Sequence, residues 1–135
     1  MWLATRNAKK GAELARILGA SFHVRTIGEL DARAPGKSRF EVVEDQPTFA
    51  GNARKKACET ATYCRAVGVD EHDLVLADDS GLCVDALNGA PGVHSARYAG
   101  DDATDRDRID KLLRELTGIP ARARGARFVC SLCLV

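Results

Sequence analysis

Apolar residues fall in short clusters separated by polar stretches rich in glycine and proline. Trp2-Leu3-Ala4 predicts a first strand. Leu14, Ile17 and Leu18 recur at i, i+3 and i+4 between Asn7, a good N-cap, and Gly19, a stop, and so predict a helix. Residues 22–27 alternate well enough for a second strand, and residues 31–44, polar and carrying Pro35-Gly36, read as a loop. Thr48 can cap a second helix with a stripe of Ala53, Ala57, Ala61 and Cys64, ending near Gly68. Residues 74–77 predict a strand that ends in Asp78-Asp79-Ser80-Gly81. Thr104, with Asp107 in capping-box position, opens a third helix that sets Ile109, Leu112, Leu113 and Leu116 on one face. Residues 126–135 form a last apolar strand without a polar tail, which needs neighbours on both faces and something to follow it. Strand and helix alternate, the pattern of an α/β layered domain.

Composition narrows the function classes. A chain of 135 residues suits one domain spanning 1–135 and can bury roughly 65–70% of its unfolded surface. Lys and Arg number 20 against 19 Asp and Glu, so no global basic field exists for a nucleic-acid backbone. An anionic ligand must be met by local geometry. No long apolar segment and no signal-peptide pattern are present, so a cytoplasmic protein with no membrane partner is expected. The five cysteines are odd in number, and Cys130 and Cys133, three apart on a strand, point to opposite faces. Reduced thiols are the expected state.

Three stretches carry candidate chemistry. The strand-to-helix turn Thr5, Arg6, Asn7, Ala8, Lys9 and Lys10 can cradle a phosphate, because a helix N-terminus offers unpaired N–H groups and partial positive charge. A capped surface helix with solvated lysines explains the same residues. Around the second helix, Phe49, Asn52 and Lys56 share a side, with Glu44 ahead of them, and a solvated Lys and Glu again suffice in isolation. A Walker A loop is excluded: Gly36-Lys37-Ser38 has the ending, but Asp31 stands where its first glycine belongs. The third stretch, Asp78-Asp79-Ser80-Gly81, is the least bland. Two carboxylates behind a buried strand are costly unless paired or metal-bound, and alternation lets only one of them face a ligand. Asp79 with Glu44 would suit a hard dication such as Mg²⁺. Arg97, beyond the turn Gly89-Ala90-Pro91-Gly92, could bind phosphate or pair with Asp78.

Together these stretches resemble the inosine triphosphate pyrophosphatase family. Thr5, Asn7 and Lys10 match its T-x-N-x-x-K, and Phe49, Asn52, Ala53, Lys56 and Ala57 match its F-x-x-N-A-x-x-K-A. Residues 77–100, ADDSGLCVDALNGAPGVHSARYAG, look like the family signature, and Asp102-Ala103-Thr104-Asp105-Arg106 continues the likeness. Arg6, Gln46 and Gly51 depart from common family residues. The Phe-Gly-Tyr-Asp-Pro-like and Ser-His-Arg motifs of the family's base pocket do not occur, so the domain is expected to be incomplete at its C-terminus.

The resemblance implies a three-layer α/β/α fold with a central mixed sheet. It also implies Mg²⁺-dependent hydrolysis of non-standard purine nucleoside triphosphates (dITP, ITP, XTP) to the monophosphate and pyrophosphate, by a homodimer. On that reading Glu44 and Asp79 hold Mg²⁺, and Asp79 also activates water. Thr5, Arg6, Asn7, Ala8, Lys9, Lys10, Lys56 and Ser80 hold the phosphates, and Asp78 supports them from behind. Rival readings are a nucleotide-binding fragment with little turnover and a related house-cleaning pyrophosphatase of other base preference. An aspartyl phosphotransferase fits less well, since the Asp-x-Asp spacing is missing.

Overall fold

The computed structural model describes residues 1–33 and 40–135; Pro35-Gly36 and Gly36-Lys37-Ser38 lie outside the described residues. The chain forms two compact units, Met1–Gln46 with Ala50–Asp78 and Leu132–Val135, and Pro47–Phe49 with Asp79–Ser131.

Strand β1 (Trp2–Leu3) lies between β2 (Arg25–Thr26) and β3 (Val75–Val84), parallel to both. Strand β4 (Ala126–Leu134) completes the order β2-β1-β3-β4. Val75 and Val135 exchange backbone hydrogen bonds of 2.8 and 3.0 Å, the mark of an antiparallel pair. The sheet is therefore mixed and the fold α/β, in line with the pattern of the sequence.

Helix α1 (Ala8–Leu18) starts at the Asn7 cap and stops at Gly19, as its spacing predicts. A Cβ on buried Gly11 would come within 2.8 Å of Thr26 Cγ2, so only glycine lets α1 sit this close to β2. Helix α3 (Phe49–Ala66) buries the expected stripe of Ala53, Ala57, Ala61 and Cys64. The core of the first unit joins Trp2, Ile27, Leu30, Ala61, Cys64 and Val75. Each large apolar side chain removed from water there contributes about 1.5–3 kcal/mol. Trp2 keeps its polar edge satisfied by donating Nε1–H to Asp73 at 3.0 Å.

Two expectations need correction here. The second strand is Arg25–Thr26, not residues 22–27, and Ile27 instead opens helix α2 (Ile27–Arg33), which takes in the start of the expected loop. The cause is legible in hindsight. Thr26-Ile27-Gly28-Glu29 is a capping-box pattern, and Glu29 Oε1 accepts from the Thr26 N–H at 2.9 Å. The third strand does not end at Ala77 either. It runs through Asp78-Asp79-Ser80-Gly81 to Val84, burying Val75, Ala77, Asp79, Gly81 and Cys83 on one face. The tetrapeptide has turn composition, but in the fold it continues the alternating burial of the strand that carries it.

In the second unit, helix α4 (Asp105–Glu115) begins with the predicted capping box, Thr104 with Asp107. Hydrogen bonds from Thr104 hold the Asp107 carboxyl below its ordinary range. Leu116 is buried, whereas Ile109 and Leu113 of the expected apolar face are half exposed. Along β4, Phe128 is 85% exposed and Leu132 61%. Among the described residues, no helix is long and apolar enough to cross a membrane.

Candidate active site

The parallel pairing of β1 with β3 ends at Leu3 and Leu76, with a last bond from the Ala4 N–H to the Leu76 carbonyl. Past that point β1 turns into α1 while β3 continues, so Asp78 lies beyond the carboxyl end of β1. In open α/β sheets such a position is where ligands bind.

The turn is built by its own side chains. Asn7 Oδ1 accepts from the N–H groups of Lys9 (3.0 Å) and Lys10 (3.3 Å), and Thr5 Oγ1 accepts from the Asn7 N–H (3.1 Å). Thr5 and Asn7 thus shape the loop, and an incoming anion competes with them for those donors. Ala8 and Lys9 are exposed on the first turn of α1.

Two lysines from different helices meet at Asp78. Lys10 Nζ lies 2.6 Å from Asp78 Oδ2. Lys56 Nζ, on α3, donates to the Asp78 carbonyl at 2.7 Å and lies 2.9 Å from Glu44 Oε1. Nothing in the spacing of residues 10, 44, 56 and 78 announced that convergence. Of the residues expected on one side of α3, Asn52 is fully buried and its Oδ1 accepts from the Gln46 N–H at 2.9 Å. That bond fixes the end of residues 40–46, the irregular segment that carries Glu44.

Strand alternation separates the two aspartates. Asp79 is 7% exposed and shares a face with Val75 and Ala77; Asp78 and the exposed Ser80 take the other. Arg6 is tied elsewhere: its Nε donates to Asp31 Oδ2 at 2.7 Å and a terminal nitrogen donates to the Phe40 carbonyl. Sequence spacing held no sign of that link.

A cavity of about 250 Å³ opens in the first unit between Ala4, Arg6, Glu41, Glu44, Lys56 and Thr60. Its charged lining of two cations and two carboxylates suits a polar ligand. A larger hollow of about 1120 Å³ in the second unit is edged by Asp101, Asp102, Asp107 and Asp110 against Lys111 and Arg114, a net negative lining that suits a polyphosphate less well.

The oxygens around Lys56 also bear on a metal. The Glu44 carboxylate and the Asp78 carbonyl both face one ammonium, and both could serve as hard oxygen ligands. Among the described residues no three His, Cys, Asp or Glu side chains gather into a metal cage. A hard ion held by one or two carboxylates, with water and phosphate filling the rest, is how Mg²⁺ is usually bound. The residues present fit that ion and do not fit a structural zinc site.

Known proteins resemble this chain over nearly its whole length. The Ham1 family model matches residues 1–135. A dITP/XTP pyrophosphatase of Rhodopirellula baltica is 49% identical over 132 residues, covering 98% of this chain and 58% of that protein. One from Opitutus terrae is 47% identical over 135 residues, covering 98% and 64%. The solved structure of the Staphylococcus aureus Ham1 protein superposes with a TM-score of 0.79 at 36% identity, over 99% of this chain and 62% of that one. The chain thus spans about three-fifths of the length of the relatives it matches.

Proposed function

Given that this chain belongs to the Ham1 family, we propose that it carries the phosphate- and ion-binding half of a nucleoside-triphosphate pyrophosphatase. The substrates are non-standard purine nucleoside triphosphates of the dITP, ITP and XTP kind, cleaved between the α- and β-phosphates in a cytoplasmic nucleotide pool by a homodimer. The single observation behind this reading is the meeting of Lys10 and Lys56 at Asp78, beside Glu44 and past the end of β1.

The difficulty of the reaction is charge. A triphosphate carries close to four negative charges, and cleavage of the bridge gathers more on the leaving oxygen. Lys10 and Lys56 are point charges that can exchange a carboxylate partner for a phosphate oxygen. The Lys10–Asp78 pair is open to exchange from its lysine side, which is 43% exposed against 15% for Asp78. Thr5, Asn7 and the N–H groups of Ala8, Lys9 and Lys10 complete the anion turn, with Ser80 as a further hydroxyl. Glu44 and Asp79 would hold Mg²⁺, which, when bound, neutralises phosphate charge. Asp79 takes the proton of the attacking water, whose oxygen forms the new bond to phosphorus as the bridging bond breaks.

The second reading is nucleotide binding with little or no turnover, since Lys10 and Lys56 can hold phosphate oxygens whether or not water attacks. Incubation with Mg²⁺ and dITP, followed by an assay for pyrophosphate, separates the two. Release at a rate that scales with protein supports the hydrolase. Saturable dITP binding without release supports the second reading, and neither signal removes both.

A further inference from the structure

We infer that Arg6 is a positioning residue that holds the segment carrying Glu44, rather than a phosphate ligand; its bearing on ion binding rests on the role proposed for Glu44. Arg6 sits in the middle of the anion turn, yet its side chain leaves that turn. Its Nε donates to Asp31 Oδ2 of α2 at 2.7 Å and a terminal nitrogen donates to the carbonyl of Phe40. Both side chains of the pair are largely withdrawn from solvent, Arg6 at 22% and Asp31 at 27%. Phe40 begins the irregular segment 40–46. Its ring stacks on Tyr63 of α3, with centroids 4.4 Å apart and planes at 4°.

The other end of the segment is pinned by the Gln46 N–H on Asn52 Oδ1 at 2.9 Å and by Asp45 on Lys55 at 2.8 Å. Glu44, between these anchors, meets Lys56 at 2.9 Å. A segment without regular hydrogen bonding stays put only as well as its ends do. Arginine suits the first anchor because its planar fork can serve two acceptors from different elements at once, which a lysine ammonium on a flexible stem does less well. The same side chain therefore links the phosphate turn, α2 and the Glu44 segment.

Hydrogen exchange of the full chain tests this without needing turnover. In Arg6→Ala and Asp31→Ala, amides of residues 42–46 are expected to exchange about tenfold faster, the loss of one to two charged hydrogen bonds, while α4 keeps its protection. Arg6→Lys and Asp31→Asn, milder changes that keep a donor or an acceptor in place, are expected to fall between and cover the case where an alanine variant does not fold. Unchanged exchange in residues 42–46 for all four variants overturns the brace. A second arm measures pyrophosphate release from dITP. The brace predicts a several-fold rise in the Mg²⁺ concentration giving half-maximal rate in Arg6→Lys and Asp31→Asn, with KM for dITP at saturating Mg²⁺ nearly unmoved. A raised KM in Arg6→Lys alone, with Asp31→Asn like the wild type, would make Arg6 a phosphate ligand and overturn the proposal. Wild-type protein with neither pyrophosphate release nor dITP binding would sink the proposed function, while the exchange arm would still decide the brace.

Discussion

Lys10 Nζ and Asp78 Oδ2 stand 2.6 Å apart although 68 positions separate them in the chain. The contact ties the first turn of α1 to the middle of β3 and gives the first of two adjacent aspartates a defined partner. With the lysine side chain 43% exposed, the pair's value for stability is modest and its value for placing charge is larger. Lys10→Ala is expected to change unfolding free energy by less than about 1 kcal/mol. It is also expected to raise KM for a triphosphate by about tenfold or more, the loss of a charged hydrogen bond. Steady-state pyrophosphate release at low salt checks this, and an unchanged KM would contradict a phosphate role. Asp78→Asn is expected to leave the fold intact and shift KM far less than Lys10→Ala does.

Asp79 is the proposed general base. Asp79→Asn keeps the shape and one acceptor oxygen but removes the charge and the basicity. A drop in turnover of at least ~10² is expected, in the range a general base contributes. Circular dichroism should show an intact fold. A variant that keeps most of its pyrophosphate release would remove Asp79 from the mechanism.

Gly81 answers a different question about the same stretch. A Cβ there would lie 2.4 Å from Ser95 Oγ, 2.5 Å from the Gly92 carbonyl and 3.0 Å from Phe49 Cε1. The Leu82 N–H also donates to Ser95 Oγ at 2.9 Å, so the turn Gly92–Arg97 is seated directly on the strand. Gly81→Ala is expected to destabilise the chain by about 1–3 kcal/mol through overpacking. Urea unfolding measures it. A loss below a few tenths would mean the turn yields freely.

The thiols should divide by burial. Cys58 and Cys130 are exposed, Cys133 is half-buried, and Cys64 and Cys83 are buried. Burial, aided by the Asp73 carboxylate, pushes the Cys64 thiol up to about 11 from an ordinary 9.0. At pH 8 a disulfide reagent is expected to modify Cys58 and Cys130 quickly and Cys64 and Cys83 only after unfolding. The raised value also sets a sign. Below the unfolded thiol's pKa the Cys64 contribution is complete. As pH rises from 9 toward 11 the unfolded chain ionises first, so stability falls there. Rapid modification of Cys64 in the native chain at pH 8 would contradict the packing of α3.

Local chemistry was readable wherever short-range geometry decides it. The Asn7 cap, the Thr104–Asp107 capping box and the alanine stripe of α3 follow from three- and four-residue spacings, which helical geometry fixes without help from elsewhere. Family motifs likewise stand in the linear order of residues, and they led to the Ham1 relatives. The tertiary structure decided what depends on partners far along the chain. Asp78-Asp79-Ser80-Gly81 looks like a turn by composition but is strand, because strand pairing is settled by neighbours that the local sequence cannot name. Only folding brings Lys10, Lys56 and Glu44 around Asp78 and turns Arg6 toward Phe40, since contacts across tens of residues leave no periodic trace in a sequence.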